Sequence, residues 1–119
     1  MYLFSGSSHR ELAEAVAKEL GETLGGVTLK TFSCGERYVK YEDSVRGQDV
    51  FILQTATQNV NEDLIELFLM CQAAKLYFAK SVHVIAPFFP YSRQDRVADY
   101  REPISAKLIA HLLEQAGAD

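Results

Sequence analysis

Val82-His83-Val84-Ile85-Ala86-Pro87-Phe88-Phe89-Pro90-Tyr91-Ser92-Arg93-Gln94-Asp95-Arg96 is the stretch on which the reading of this chain turns. Residues 82–86 form a mostly apolar run stopped by Pro87, the pattern of a buried strand. The loop that follows is rich in proline, aromatic rings and charge. It lies at the carboxyl edge of that strand, where ligands of open α/β sheets bind. Working backwards, Val50-Phe51-Ile52-Leu53 is a second, continuous apolar run, typical of a parallel central strand. Tyr2-Leu3-Phe4 opens the chain as a third short strand.

Helices separate these strands. Ser8 and Glu11 have capping-box spacing, so a helix is predicted to start there, with Leu12, Val16 and Leu20 as its apolar stripe and Gly21 as its terminator. Val27 to Phe32 and Arg37 to Tyr41 read as two strands. Asn61 is the expected N-cap of a helix over about 62–79. That helix is apolar nearly all round, with 12 apolar residues among the 15 from Leu64 to Phe78. The excess over one stripe predicts burial on a second side, most economically a subunit interface. Pro103 is expected at position N1 of a last helix whose core stripe is Leu108, Ile109, Leu112 and Leu113. The order β-α-β-β-β-α-β-α implies an α/β domain with a mainly parallel sheet, the strands at 27–41 forming an antiparallel projection.

The chain has 119 residues, 48% apolar and 24% charged, with a net charge of −4. A length of this order suits one domain. The acidic balance argues against a dedicated nucleic-acid or anionic-membrane binder, so any phosphate must be held by a few placed cations. Cys34 and Cys71 make no metal-ligand spacing and fit a reduced compartment. With no signal-peptide pattern at the start, a cytoplasmic setting is expected.

Arg93 and Arg96 carry the strongest chemical signal. Two guanidiniums three residues apart can fork onto phosphate oxygens, and the Gln94 amide can donate and accept beside them. A solvated charged loop with Arg–Asp pairs accounts for the same residues. Phe32-Ser33-Cys34-Gly35-Glu36 could hold a nucleobase by stacking and hydrogen bonding, or be an ordinary turn. Ser44-Val45-Arg46-Gly47 offers a hydroxyl and a cation to an anion, or is an exposed turn. His9, His83 and His111 have no ligand or catalytic partner at useful spacing.

Five stretches occur in order: Phe4-Ser5-Gly6-Ser7-Ser8-His9, Phe32 to Glu36, Ser44-Val45-Arg46-Gly47-Gln48-Asp49, Pro90 to Arg96, and Pro103-Ile104-Ser105-Ala106-Lys107. Together they resemble the N-terminal domain of the ribose-phosphate pyrophosphokinase family over essentially the whole chain. The resemblance implies a phosphoribosyltransferase-like three-layer fold. It also implies a transferase moving the diphosphate of ATP, with Mg²⁺, to ribose 5-phosphate for nucleotide biosynthesis. By the same resemblance Arg93, Gln94 and Arg96 contact ATP, and Phe32, Cys34, Gly35 and Glu36 receive the adenine of a neighbouring subunit's ATP in a homo-oligomer. Ser44 and Arg46 match a regulatory phosphate/ADP site.

The family's ribose-phosphate loop and catalytic loop match nothing in these residues. Residues 1–119 are therefore expected to be a single nucleotide-gripping domain without the ribose-phosphate-binding domain, holding no catalytic or metal-ligating residue and inactive by themselves. A non-catalytic regulatory or associated subunit of the same family is the alternative. A doubly wound signalling domain is disfavoured, because it calls for an acidic cluster where Phe4-Ser5-Gly6 stands.

Overall fold

A computed structural model describes residues 1–119. The elements are β1 (Tyr2–Ser5), α1 (Arg10–Glu19), β2 (Val27–Thr31), β3 (Arg37–Tyr41), β4 (Asp49–Leu53), α2 (Val60–Leu76), β5 (Ser81–Ile85) and α3 (Ser105–Ala116). One tight helical turn, Ser92–Gln94, sits between β5 and α3. The predicted element order holds.

β1, β4 and β5 form a parallel sheet in that spatial order, Tyr2 opposite Val50 and Val50 opposite Val82. The continuous apolar run 50–53 is the central strand, as its composition requires. β2 and β3 pair antiparallel as a separate ribbon, from Val27 opposite Tyr41 to Thr31 opposite Arg37. Alternation along the strands then sorts the layers. Phe4, Val50, Ile52 and Val82 share a core with Leu64, Leu67, Met70, Cys71 and Ala74 of α2 and with Ile109 and Leu113 of α3. Leu3 and Leu53 face the opposite way, onto Ala13 and Ala17 of α1.

The ribbon explains the apolar excess of α2. Val39 and Tyr41 pack on the main core, and the Tyr41 hydroxyl donates to the Met70 carbonyl at 3.0 Å. Part of the second side of α2 is thus covered within the chain, by the ribbon. Ile65, Leu76, Tyr77 and Phe78 remain exposed along and just beyond it.

Helix ends differ from their predicted positions. The α1 cap is His9, whose Nδ1 accepts from the Leu12 N–H at 3.2 Å. Ser8 is drawn off instead, its hydroxyl donating to Gln54 Oε1 at 2.7 Å. Leu20 lies past the last turn and is exposed. α2 begins after Asn59 rather than Asn61 and ends at Leu76, where Phe78 turns left-handed at φ 66°. Pro103 stands just outside α3, whose N-cap position is taken by Ile104 with no side-chain capping bond. The stripe of α3 reduces to Ile109 and Leu113, because Leu108 and Leu112 are exposed.

Burial makes the two thiols unequal. Cys71 is fully enclosed and burial pushes its thiol up to about 12, whereas Cys34 is exposed. Since the thiolate is the reactive form, a thiol reagent at pH 8 is expected to label Cys34 alone in the folded chain and Cys71 only after unfolding. Equal rates at both would contradict this packing.

Candidate functional site

The loops leaving β4 and β5 zip together beyond the sheet. Gln54 N–H donates to the Ile85 carbonyl at 3.0 Å, Ala56 N–H to the Phe88 carbonyl at 3.0 Å, and Phe88 N–H to Thr55 Oγ1 at 2.9 Å. The chain then turns at Tyr91, held left-handed at φ 61° with its hydroxyl on Asn61 Oδ1. Between these loops opens a cleft of about 610 Å³ whose lining includes Thr57, Phe88, Arg93, Gln94, Arg96 and Glu102. The three residues expected at a nucleotide site are brought together here. Arg93 and Arg96 are exposed and take part in none of the chain's ion pairs. The Arg–Asp pairing that a merely solvated loop would show is absent. Gln94 Oε1 accepts from the Ser105 hydroxyl, fastening this turn to the start of α3 and leaving the amide N–H groups to donate.

Phe32, Cys34, Gly35 and Glu36 do not line this cleft. They occupy the tip of the β2–β3 ribbon, where Phe32 N–H donates to the Glu36 carbonyl and Gly35 N–H to the Phe32 carbonyl, both at 2.8 Å. Gly35 sits at φ 96°, a conformation that favours glycine. Phe32 is about half exposed and meets Tyr38 edge-on at 5.8 Å between centroids. Gly35 and Glu36, with Arg37, Asn61, Glu62, Ile65 and Leu69, line a groove of about 420 Å³. Ser44 and Arg46 lie in a third place, a cavity of about 620 Å³ shared with Tyr38, Lys40, Tyr41, Asp43 and Tyr77. The Arg46 guanidinium rests 4.5 Å above the Phe78 ring.

Beneath the cleft lies a polar cluster that the sequence reading missed. Glu66 is fully buried. Its Oε1 accepts from Ser7 N–H at 2.7 Å, the Ser7 hydroxyl at 2.8 Å and Gln54 Nε2 at 2.9 Å, while its Oε2 accepts from the same hydroxyl at 2.9 Å. Arg37 Nη1 stands 3.8 Å from Oε2. Gln54 in turn accepts from Ser8 N–H at 3.1 Å and donates to the Asp63 carbonyl at 3.1 Å. Asp63 holds Thr57, a lining residue of the cleft, through its N–H at 3.1 Å and hydroxyl at 2.6 Å. A Cβ at Gly6 would fall 2.1 Å from Gln54 Oε1, so any larger residue there would push that amide out of its hydrogen bonds to Ser8 and Glu66. The available signal was Glu66 itself, the lone carboxylate in the 64–78 apolar run.

A parallel sheet with helices on both faces and unpaired guanidiniums at its carboxyl edge makes a layered α/β domain with a cationic cleft at that edge. Residues 1–117 match the family described as the N-terminal domain of ribose phosphate pyrophosphokinase, and the chain belongs to that family. It is 53% identical over 119 residues to a ribose-phosphate pyrophosphokinase of Corynebacterium glutamicum, covering all of this chain and 37% of the relative. It is 50% identical over 117 residues to ribose-phosphate pyrophosphokinase 1 of Streptococcus pneumoniae TIGR4, covering 98% of this chain and 36% of the relative. The crystal structure of phosphoribosylpyrophosphate synthetase from Mycobacterium smegmatis superposes with a TM-score of 0.96 at 47% identity, over 99% of this chain and 40% of that one. The chain thus spans little more than a third of these curated relatives' length.

Removing the buried carboxylate leaves the enclosed Gln54 amide without one of its partners and takes the shared acceptor from Ser7 and the counter-charge from Arg37. Glu66→Ala is expected to cost roughly 3–5 kcal/mol of unfolding free energy in urea. A loss below about 1 kcal/mol would show that the cluster does not hold the loops.

Proposed function

We propose that the chain is the ATP-gripping part of a ribose-phosphate pyrophosphokinase, the transferase that moves diphosphate from ATP to ribose 5-phosphate and gives 5-phosphoribosyl 1-diphosphate and AMP. The observation that carries this reading is the pair Arg93 and Arg96, exposed, without ion-pair partners, and lining one cleft with Gln94. A triphosphate satisfies both guanidiniums by forked, charge-assisted bonds. Phosphoryl transfer is governed mainly by positioning and charge stabilisation. The role of these residues is therefore to fix the phosphate chain and withdraw charge from it, while the pentose is held by parts of the relatives that this chain does not span.

Mg²⁺ enters as a component of the substrate, Mg-ATP. The chain has no group of three His, Cys, Asp or Glu side chains suited to a cation, and Glu102 is the one carboxylate lining the cleft. No step is assigned to a resident metal. The Phe32, Cys34, Gly35 and Glu36 tip is proposed to receive the adenine of a neighbouring subunit's ATP in a cytoplasmic homo-oligomer. Its position outside the Arg93 cleft of its own chain supports that division. Ser44 and Arg46 are proposed to hold a regulatory phosphate or ADP.

ATP titration is expected to give saturable binding that weakens as salt is raised. Arg93→Ala is expected to weaken it roughly tenfold or more, the worth of a charge-assisted bond. With Mg-ATP and ribose 5-phosphate, residues 1–119 alone are expected to release no AMP. Unchanged ATP affinity in Arg93→Ala removes that residue's role; ribose-5-phosphate-dependent AMP formation overturns the half-site reading. Light scattering is expected to show association that Tyr77→Glu and Phe78→Glu reduce, since these exposed rings beside α2 form the apolar face left uncovered. A strict monomer at high concentration would contradict it.

A further inference from the structure

We propose that Arg37 is a positioning residue that acts through buried Glu66 to fix the Phe32–Glu36 tip in its binding geometry, and thereby sets discrimination between nucleobases. A two-stranded ribbon alone is marginal in water, so this one depends on what ties it to the rest of the fold. Residues 37, 39 and 41 alternate toward α2, matching Glu66 and Met70 one helical turn apart. The far end of the ribbon is held by Tyr41, which donates to the Met70 carbonyl at 3.0 Å and meets the Phe4 ring at 4.6 Å. The tip end is held by Arg37, the one ion pair between ribbon and helix, 3.8 Å from Glu66 Oε2.

Two further details single out Arg37. Its Nη1 also donates to Thr31 Oγ1 at 2.7 Å, directly across the ribbon, so the same guanidinium clamps both strands where they enter the tip. Its Nε is buried with no hydrogen-bond partner. A guanidinium that desolvates one N–H without compensation is retained against a cost, and its charge on Glu66 supplies the counterweight. The tip itself is otherwise closed by its own two backbone bonds and the edge-on contact of Phe32 with Tyr38. Gly35, Glu36 and Arg37 then face Asn61, Glu62 and Ile65 of α2 across the 420 Å³ groove, so a slack tip changes the shape of that groove directly.

The base-discrimination part of this inference rests on the proposal that the tip receives adenine; the clamping part rests on the geometry alone. The test uses the full chain with Arg37→Met, which keeps the stem and removes the charge, and Arg37→Lys, which keeps the charge. Hydrogen exchange is followed at the Phe32 and Gly35 amides and, as a control, at Phe4 and Ile52 in the core sheet. The expected result is exchange at least tenfold faster at the tip in Arg37→Met, little change in the sheet, and recovery of protection in Arg37→Lys. Unchanged tip exchange, or an equal rise in the sheet, would overturn the clamping role. ATP and GTP titrations are run in parallel. Arg37→Met is expected to reduce the ATP-over-GTP preference severalfold while the salt dependence set by Arg93 and Arg96 persists. An unchanged preference beside a loosened tip would overturn the discrimination role. A wild-type chain that binds ATP without preferring it over GTP would instead remove the adenine reading, with the exchange result still deciding whether Arg37 clamps the tip.

Discussion

A carboxylate taken out of water loses several kcal/mol of solvation unless hydrogen bonds and opposite charge replace it. Glu66 meets that demand with three donors, the Ser7 N–H, the Ser7 hydroxyl shared between both carboxylate oxygens and the Gln54 amide, and with the nearby Arg37 guanidinium. Those donors belong to three different parts of the chain: the loop after β1, the end of β4 and the start of β3. Because each is needed to offset the same desolvation, their positions become mutually dependent. The cluster specifies where three connections leave the sheet, a task that apolar packing, which is indifferent to direction, performs poorly.

The consequence reaches the cleft through short links. Gln54 joins Glu66 to Ser8 and to the backbone of α2, and Asp63 carries the restraint to Thr57 in the cleft wall. The groups proposed to grip a ligand are of the opposite kind: Arg93 and Arg96 are exposed and outside every ion pair. Buried polar groups that satisfy one another make rigid supports, and exposed cations that satisfy nothing within the chain remain available.

Much of the fold was legible because period and composition act locally. The runs at 50–53 and 82–86 announced parallel strands, and the proline-rich loop announced the edge at which the cleft opens. The helix caps were misjudged because capping competes with tertiary hydrogen bonds. Ser8 gave up its cap role to Gln54, and His9, no standard choice, took it. The apolar excess of α2 announces burial on more than one side, but nothing local reveals that the 27–41 ribbon folds back over residues 66–70 and supplies part of it. Arg93, Gln94 and Arg96 could be grouped from the sequence because these neighbours converge on one cleft. Glu66 and Arg37 were missed because their meaning lies in contacts 29 residues apart.

That same helix explains why three separate concavities occur on so small a chain. Val60 lines the Arg93 cleft, Asn61, Glu62, Ile65 and Leu69 line the groove under the ribbon tip, and Ala73, with Tyr77 just past its end, lines the Ser44–Arg46 cavity. A helix with one apolar stripe can serve one interface; α2 has to meet the sheet, the ribbon and α3 while leaving edges for three openings. Its nearly uniform apolarity follows from that number of neighbours. The single carboxylate in the run stands where sheet, ribbon and first loop converge, the one point along α2 at which direction matters more than burial.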